Sequence, residues 1–376
     1  MKKYSILISV LLAILLMTSI YMIPRPAKAQ PRSDLDIYWY GDPDAAWAAL
    51  LADEIDFIQW SLTEEQKAAA EENPDIQLAS YAENGMFEFD FNNNCTIASY
   101  PTATNPLYNE TVRKAIAFLI DKQHIIAHIL HFYGARIDIP IPYPQNGWWN
   151  LSVTYDPANP SVDNYPYKYD IDQAAALLAQ IGFSDTDGNG YLNYPNDPWW
   201  GDAAGADTTE YPLIICVRSD HEHRLLAGQY LISQLEGDPT VAGDSPLANS
   251  PAWAEYGAVG GDFDTTDATW QQPREVLSPK VFHDRDYHIY TGGWSLGRYP
   301  TYLFFLFHSM FWYPWGPNYV TGMNCSNLPN YPEYDEMLEG IWYAPSISDA
   351  MTAALKAGGY HVEHCINVPL WSYTSY

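Results

Sequence analysis

The chain has 376 residues, with 18 Lys plus Arg against 46 Asp plus Glu and a formal net charge of −28. A charge of that sign and size repels phosphate backbones and argues against a nucleic-acid partner. The apolar share of 47% is ordinary for a globular protein, whereas 14 Trp, 30 Tyr and 13 Phe make an aromatic load suited to a core and to walls that grip a ligand by shape.

At the N-terminus, Lys2 and Lys3 precede an apolar run from Tyr4 to Ile23. Ala27-Lys28-Ala29 then forms a small-x-small site before Gln30. This order predicts a secretory signal peptide over residues 1–29. The run is also long enough to span a bilayer as a retained anchor. Either way the rest of the chain is expected outside the cytoplasm, periplasmic or at the cell surface. Cys95, Cys216, Cys325 and Cys365 are far apart and form no C-x-x-C, so zinc and redox motifs are weak readings, and one or two disulfides suit an exported chain. Asn94, Asn109, Asn150 and Asn324 head glycosylation sequons, which matter only in a host that glycosylates exported proteins.

In chain order, "LDIYWY" (35–40) is rich in β-formers and predicts a strand. Asp42 and Pro43 then start a helix with an Ala46, Leu50, Leu51 stripe. "IDFIQW" predicts a short strand. Thr63 and Gln66 form a capping box for the helix that ends before Pro74. "IQLASYA" and "GMFEFDFN" predict strands, the second alternating Met86, Glu88, Asp90 against Phe87, Phe89, Phe91. The region 109–134 is the clearest helical stretch, with Val112, Ile116, Leu119 and Ile120 on its apolar face and Gly134 as its stop. Residues 143–169 are loop-like. "YDIDQAAALLAQIGF" predicts a helix, "YPLIICVRS" a buried strand, "DHEHRLLAGQYLISQLEG" an amphipathic helix and "DYHIYTGGW" a strand ending in a glycine turn. Two helices near the C-terminus and a final strand, "INVPLWSY", complete the pattern. Alternating strands and helices predict an α/β architecture with open sheets.

Among chemical motifs, Asp185, Asp187 and Asn189 stand at positions 1, 3 and 5 of a calcium loop, and Tyr191 would offer its carbonyl at position 7. Asn196 stands where a bidentate Glu belongs. The loop is therefore either a calcium site lacking one ligand or a turn in which Asp and Asn satisfy their own backbone. His124, His128 and His131 share one helix face by spacing, which admits a transition metal or a half-buried surface. His221 and His223 follow Asp220 at a helix start, a capping position before a metal one. Carboxylates are plentiful but no pair is placed by spacing, and no serine sits in a nucleophile context, so an enzyme reading needs distant residues to meet in space.

Three ordered stretches resemble the family 5 extracellular solute-binding proteins: "NPLYNETVRKAIAFLIDKQHIIAHILHFYGARIDIPIP", "YDIDQAAALLAQIGFSDTDGNGYLN", and "YTGGWSLGRYPTYLFFLFHS" with "NYVTGMNCSNLPNYPEYDEMLE" behind it. The resemblance covers roughly residues 36–376. It implies a two-lobed type II periplasmic-binding-protein architecture: 30–115 a remnant of the first α/β lobe, 116–360 the second lobe, 361–376 the start of the return. The first lobe is expected to be shortened at its N-terminal part and the chain at its C-terminus. It further implies capture of a small solute, an oligopeptide foremost, by lobe closure and delivery to the permease of an ABC importer, with no catalysis and no required cofactor. In peptide-binding members an aspartate shortly after the glycine-tryptophan pair holds the ligand's amino terminus. Here no acid occupies that segment and Arg298 lies nearby instead, which would favour an anionic group if it faces the cleft. Trp294, Tyr290 and Tyr299 are the expected ligand walls, and Asn92 and Asn93 the expected polar contacts. The rival readings are a secreted hydrolase or carbohydrate-active domain, and a calcium-stabilised surface protein without a transport role.

Overall fold

The computed structural model describes residues 36–375, apart from 60–61, 80, 143–146, 157, 239, 241–242, 256–260, 266–269 and 313–330. The N-terminal apolar run and Cys325 lie outside the described residues. Contacts divide the chain into Met1–Trp60 and Ser61–Tyr376. The boundary expected near residue 115 is not the one observed, because strands on either side of it hydrogen-bond in one sheet.

In the first unit, helix α1 (Pro43–Leu51) starts where Asp42 accepts the Asp44 amide and Pro43 presets the first helical φ. The predicted strands at 35–40 and 55–60 do not form among the described residues. β-forming side chains favour a strand only when a neighbouring strand takes up its backbone bonds.

The second unit opens with α2 (Glu64–Glu72), whose capping box is present: the Gln66 amide donates to Thr63 Oγ1 at 3.2 Å and the Thr63 amide to Gln66 Oε1 at 3.1 Å. Then come β1 (Tyr81–Ala82), β2 (Gly85–Phe91) and α3 (Glu110–Phe118). The helical stretch predicted through residue 134 stops at Phe118, then resumes as α4 (Lys122–His124) and a π-turn over Ile125–Ile129. Further on lie β3 (Gly134–Arg136), α5 (Ile171–Gln180), β4 (Ile215–Arg218), α6 (Glu222–Glu236) and α7 (Ala252–Glu255). After them follow β5 (Trp270–Gln272), α8 (Arg274–Ser278), β6 (Ile289–Ser295), α9 (Tyr302–Phe307), α10 (Pro332–Trp342), α11 (Ile347–Glu363) and β7 (Val368–Ser375).

The strands form one mixed sheet in the order β1-β7-β2-β6-β4-β5, with β3 also paired to β7. β2 runs antiparallel to both β6 and β7, while β4 runs parallel to β5 and β6. The antiparallel half thus holds the expected first-lobe strand beside the C-terminal strand, and the parallel half carries helical crossovers.

The core runs from β2 and β7 through α3, α5, α10 and α11. Arg113, from the V-R-x-A stretch, is fully buried within it. Its guanidinium donates to the carbonyls of Cys365, Leu107 and His364 and to Tyr331 Oη, tying α3 to the turn after α11. Its five donors find neutral acceptors that hold distant segments together.

Candidate functional site

β4 and β6 run parallel, so their carboxyl ends share one edge of the sheet, joined there by the N-terminal end of the antiparallel β2, where Gly85 pairs with Ser295. A cavity of about 740 Å³ opens at that edge. Ligands of open α/β sheets gather at such strand ends. Its apolar wall is Phe87, Phe282, Tyr290 and Trp294, and its polar wall includes Glu83, Arg218, His221, Arg224 and Arg274.

Two glycines shape this wall. Gly292 and Gly293 were expected in a turn after the strand, yet they lie inside β6, opposite Glu88 and Phe87. A Cβ on Gly292 would collide with the Asp90 carboxylate, and one on Gly293 would stand 2.9 Å from the Phe87 ring and 3.3 Å from Arg224 Nη1. Glycine is required there because side chains from both faces close on the strand backbone.

The aromatic wall is fixed from behind. Trp294 Nε1 donates to Glu88 Oε1 at 2.7 Å, and Phe282 meets both Trp294 and Tyr290 edge-on at 6.1 Å. Glu88 in turn accepts from Asn367 Nδ2 at 2.6 Å, Asn367 Oδ1 lies 2.6 Å from His361 Nε2, and His361 Nδ1 lies 3.0 Å from Tyr334 Oη. Burial drives the His361 pKa down to about 3, so its ring is neutral. If Asn367 donates to Glu88, His361 carries its proton on Nε2 and accepts from Tyr334.

The cations differ in how far they are committed. Arg218 forks onto Asp220 at 2.5 and 2.6 Å. Asp220 therefore does not cap α6; the N-cap is His221, whose side chain makes no capping bond. Arg224 is buried, its Nε donating to the Thr291 carbonyl at 2.8 Å and its Nη2 to that carbonyl and to Tyr290 Oη. Arg274 is exposed at the start of α8 and makes no ion pair among the described residues. His221 lies against Phe87 and Tyr373, and burial, reinforced by the Arg224 charge, lowers its pKa to about 4.

Of the six ligand contacts expected from the sequence, Trp294 and Tyr290 line the cavity. Arg298 and Tyr299 do not; both are exposed, with the Arg298 guanidinium 5.7 Å from the Tyr299 ring centre. Asn92 and Asn93 are buried and brace backbone, Asn92 Nδ2 donating to the Arg285 and Tyr287 carbonyls and Asn93 Nδ2 to those of Phe91 and Ile366. The arginines of the polar wall escaped sequence reading because they sit in separate strands and helices that only the parallel register brings together.

The acidic loop is closed on itself. Asp185 Oδ1 accepts the amides of Gly188 and Asn189, and Oδ2 that of Gly190, while Asn189 Oδ1 accepts the Tyr191 amide. Asp187 is exposed. The loop thus has the amide-accepting pattern of a turn in which Asp and Asn satisfy the backbone. Of the three histidines predicted on one face, His124 and His128 lie with ring centres 4.7 Å apart, whereas His131 has left the helix with φ 45°. Among the described residues no group of three or more His, Cys, Asp or Glu is placed to hold a metal. Cys95, Cys216 and Cys365 are free thiols.

A mixed sheet with a cavity at its strand ends is the setting in which α/β proteins hold small ligands. The model of the bacterial extracellular solute-binding proteins, family 5 (middle), matches residues 28–237, and the chain belongs to this family. No curated protein matches it. Among solved structures it is similar to the oligopeptide-binding protein AppA from Bacillus subtilis, in complex with a nonapeptide (TM-score 0.59, 16% identity, 88% of this chain and 53% of that one). It is also similar to a nickel ABC transporter protein from Bacillus halodurans (0.57, 14%, 89% and 55%) and to DppA from Helicobacter pylori in complex with the peptide STSA (0.56, 16%, 88% and 50%). The fold is that of the type II periplasmic binding proteins, and the chain spans about half the length of these solved relatives.

Proposed function

We propose that this protein works outside the cytoplasmic membrane, capturing a small solute, an oligopeptide foremost, and passing it unaltered to the permease of an ABC importer. The observation that carries this reading is the aromatic-walled cavity at the carboxyl ends of β4 and β6, in a chain of a solute-binding family. Its volume of about 740 Å³ lies in the range of small-molecule sites, and polar side chains that can orient a ligand stand beside its aromatic wall. The peptide and nickel proteins among the solved relatives supply the solute classes to try first. Family members are extracellular by description, and among the described residues no helix is long and apolar enough to cross a membrane.

A thermal-shift screen of the full chain against oligopeptides, nickel chelates and oligosaccharides tests the reading. A solute at 100 times its Kd adds about 2.7 kcal/mol of stability. The bound solute is then recovered and weighed: an unchanged mass supports capture, while a converted product, or no shift from any of the three classes, removes it.

A further inference from the structure

Helix α4 runs straight into the π-turn, with His124 closing the one and His128 standing four residues on inside the other. An α-helix already puts such a pair on one face. A π-turn, closed by i→i+5 bonds such as that from the Leu130 amide to the Ile125 carbonyl at 3.0 Å, takes more residues per revolution and sets the fourth residue more nearly above the first. The two imidazole rings stand 4.7 Å apart between centres, inclined at 41°. Both residues are exposed, and neither ring makes a hydrogen bond or ion pair among the described residues.

That spacing suits two imidazoles on one metal ion. A ring nitrogen bound at about 2.0–2.1 Å puts its ring centre about 3.2 Å from the metal, so rings at adjacent corners of a square or a tetrahedron stand about 4.5–5.2 Å apart. His124 is held in place from two sides. Its ring stacks on Tyr230 at 5.0 Å and 17°, and its amide donates to Asp121 Oδ1 at 2.9 Å. Tyr230 is itself fixed, its Oη accepting the Asp121 amide at 3.1 Å. Stacking engages the face of the imidazole and leaves the lone pair in its plane available. The backbone just beyond is strained, with His131 and Phe132 at φ of 45° and 65°, a conformation held only where its surroundings impose it. The net charge of −28 draws cations to the surface, and imidazole selects transition ions over magnesium and calcium.

We infer that His124 and His128 form a surface chelate for a divalent transition-metal ion of the nickel, copper and zinc class, with water in the remaining coordination positions. Two protein ligands hold an ion less tightly than a closed site of four, so the site exchanges its metal with the medium. It is separate from the solute cavity, whose lining includes neither histidine, and it does not depend on the solute-capture reading. A gain in stability from nickel salts therefore arises here without any solute in the cavity.

The test uses the full chain without a purification tag, titrated by calorimetry with zinc chloride, nickel chloride and, for a hard cation, magnesium chloride. Zinc and nickel are each expected to bind, and magnesium not to. His124→Gln and His128→Gln are each expected to weaken zinc and nickel binding by about tenfold or more, since even the outer partners of a metal ligand are worth that much. Both positions are exposed, so both variants are expected to melt at the native temperature in metal-free buffer. His131→Gln is expected to bind both ions as the native chain does. No binding of zinc or nickel at millimolar concentration, unchanged affinity in either His124→Gln or His128→Gln, an equal loss in His131→Gln, or magnesium binding as tightly as zinc each overturns the chelate. Solute capture is untouched by any of these results and falls only with the wider screen.

Discussion

Trp294 Nε1 donates to Glu88 Oε1 at 2.7 Å across the β2–β6 pair, so a ring that walls the cavity is held by an acid that is 1% exposed. The indole faces the cavity on one side and a buried carboxyl on the other. Trp294→Phe keeps an aromatic wall but leaves a buried acceptor without its donor, at a cost of about 1–3 kcal/mol. Urea denaturation is expected to show that loss, and the solute-dependent thermal shift is expected to shrink with it. Full stability in the variant would show that the bond does not hold the ring.

Glu88 and Asp90 lie two residues apart on one strand face, both buried. Burial first, then the Asp90 charge, pushes the Glu88 carboxyl well above its usual range, against the pull of the Trp294 and Asn367 donors. The folded protein therefore keeps a proton that the unfolded chain releases at about pH 4.3. This contribution to stability is complete below that range and is lost as pH rises above it. Gln at position 88 keeps an acceptor for Trp294 and a donor for Asp90. The urea midpoint of the native chain is expected to fall between about pH 5 and about pH 8 more steeply than that of Glu88→Gln. Equal slopes would place the retained proton elsewhere.

These two acids also show where sequence reading stops. The alternation in "GMFEFDF" gave the strand and its faces, since period two is a local property. A polar side normally faces water, yet here α10 and α11 cover it and Asn367, His361 and Tyr334 answer its charges. That cover comes from residues more than two hundred positions away and leaves no local trace. Helix starts at Asp42 and Thr63 were legible for the opposite reason, their caps being contacts within three residues. Trp294 and Tyr290, to which the glycine-tryptophan resemblance pointed, line the cavity. Arg224 belongs to a stretch legible only as an amphipathic helix, and the register of β4 against β6 brings it to the cavity.

Asp138 joins two buried cations, Lys122 and Arg136. Its Oδ1 accepts from Lys122 Nζ at 2.8 Å and from Arg136 Nε at 2.9 Å, and its Oδ2 from the Tyr155 amide at 2.8 Å. Burial alone would raise its pKa, but the Lys122 and Arg136 charges outweigh burial and hold it below the usual range. Its stabilising contribution is therefore present above the unfolded carboxylate pKa and lost as pH falls through the folded one. Asp138→Asn strands two cations in the core, and about 3–5 kcal/mol of stability is expected to go. A loss under about 1 kcal/mol, read by urea denaturation at neutral pH, would mean that Asp163 and the Tyr165 ring suffice to hold Arg136 and Lys122.

Gly228 sets two principles against each other. It sits inside α6, where alanine is preferred to glycine by about 1 kcal/mol per residue. Yet a Cβ there would stand 2.5 and 2.8 Å from the two methyls of Val217 and 3.2 Å from Thr291 Cγ2, with the helix pressed on β4 and β6. Both neighbours are β-branched residues of packed strands, with little freedom to turn away. Overpacking of this kind costs about 1–3 kcal/mol, so packing is expected to outweigh propensity and Gly228→Ala to melt lower. Residues 224 and 228 share a helix face, so a helix lifted off the sheet carries Arg224 with it. Solute affinity is expected to fall along with stability. A higher melting temperature with unchanged affinity would show instead that α6 yields at this contact and that the close approach does not position the cavity wall.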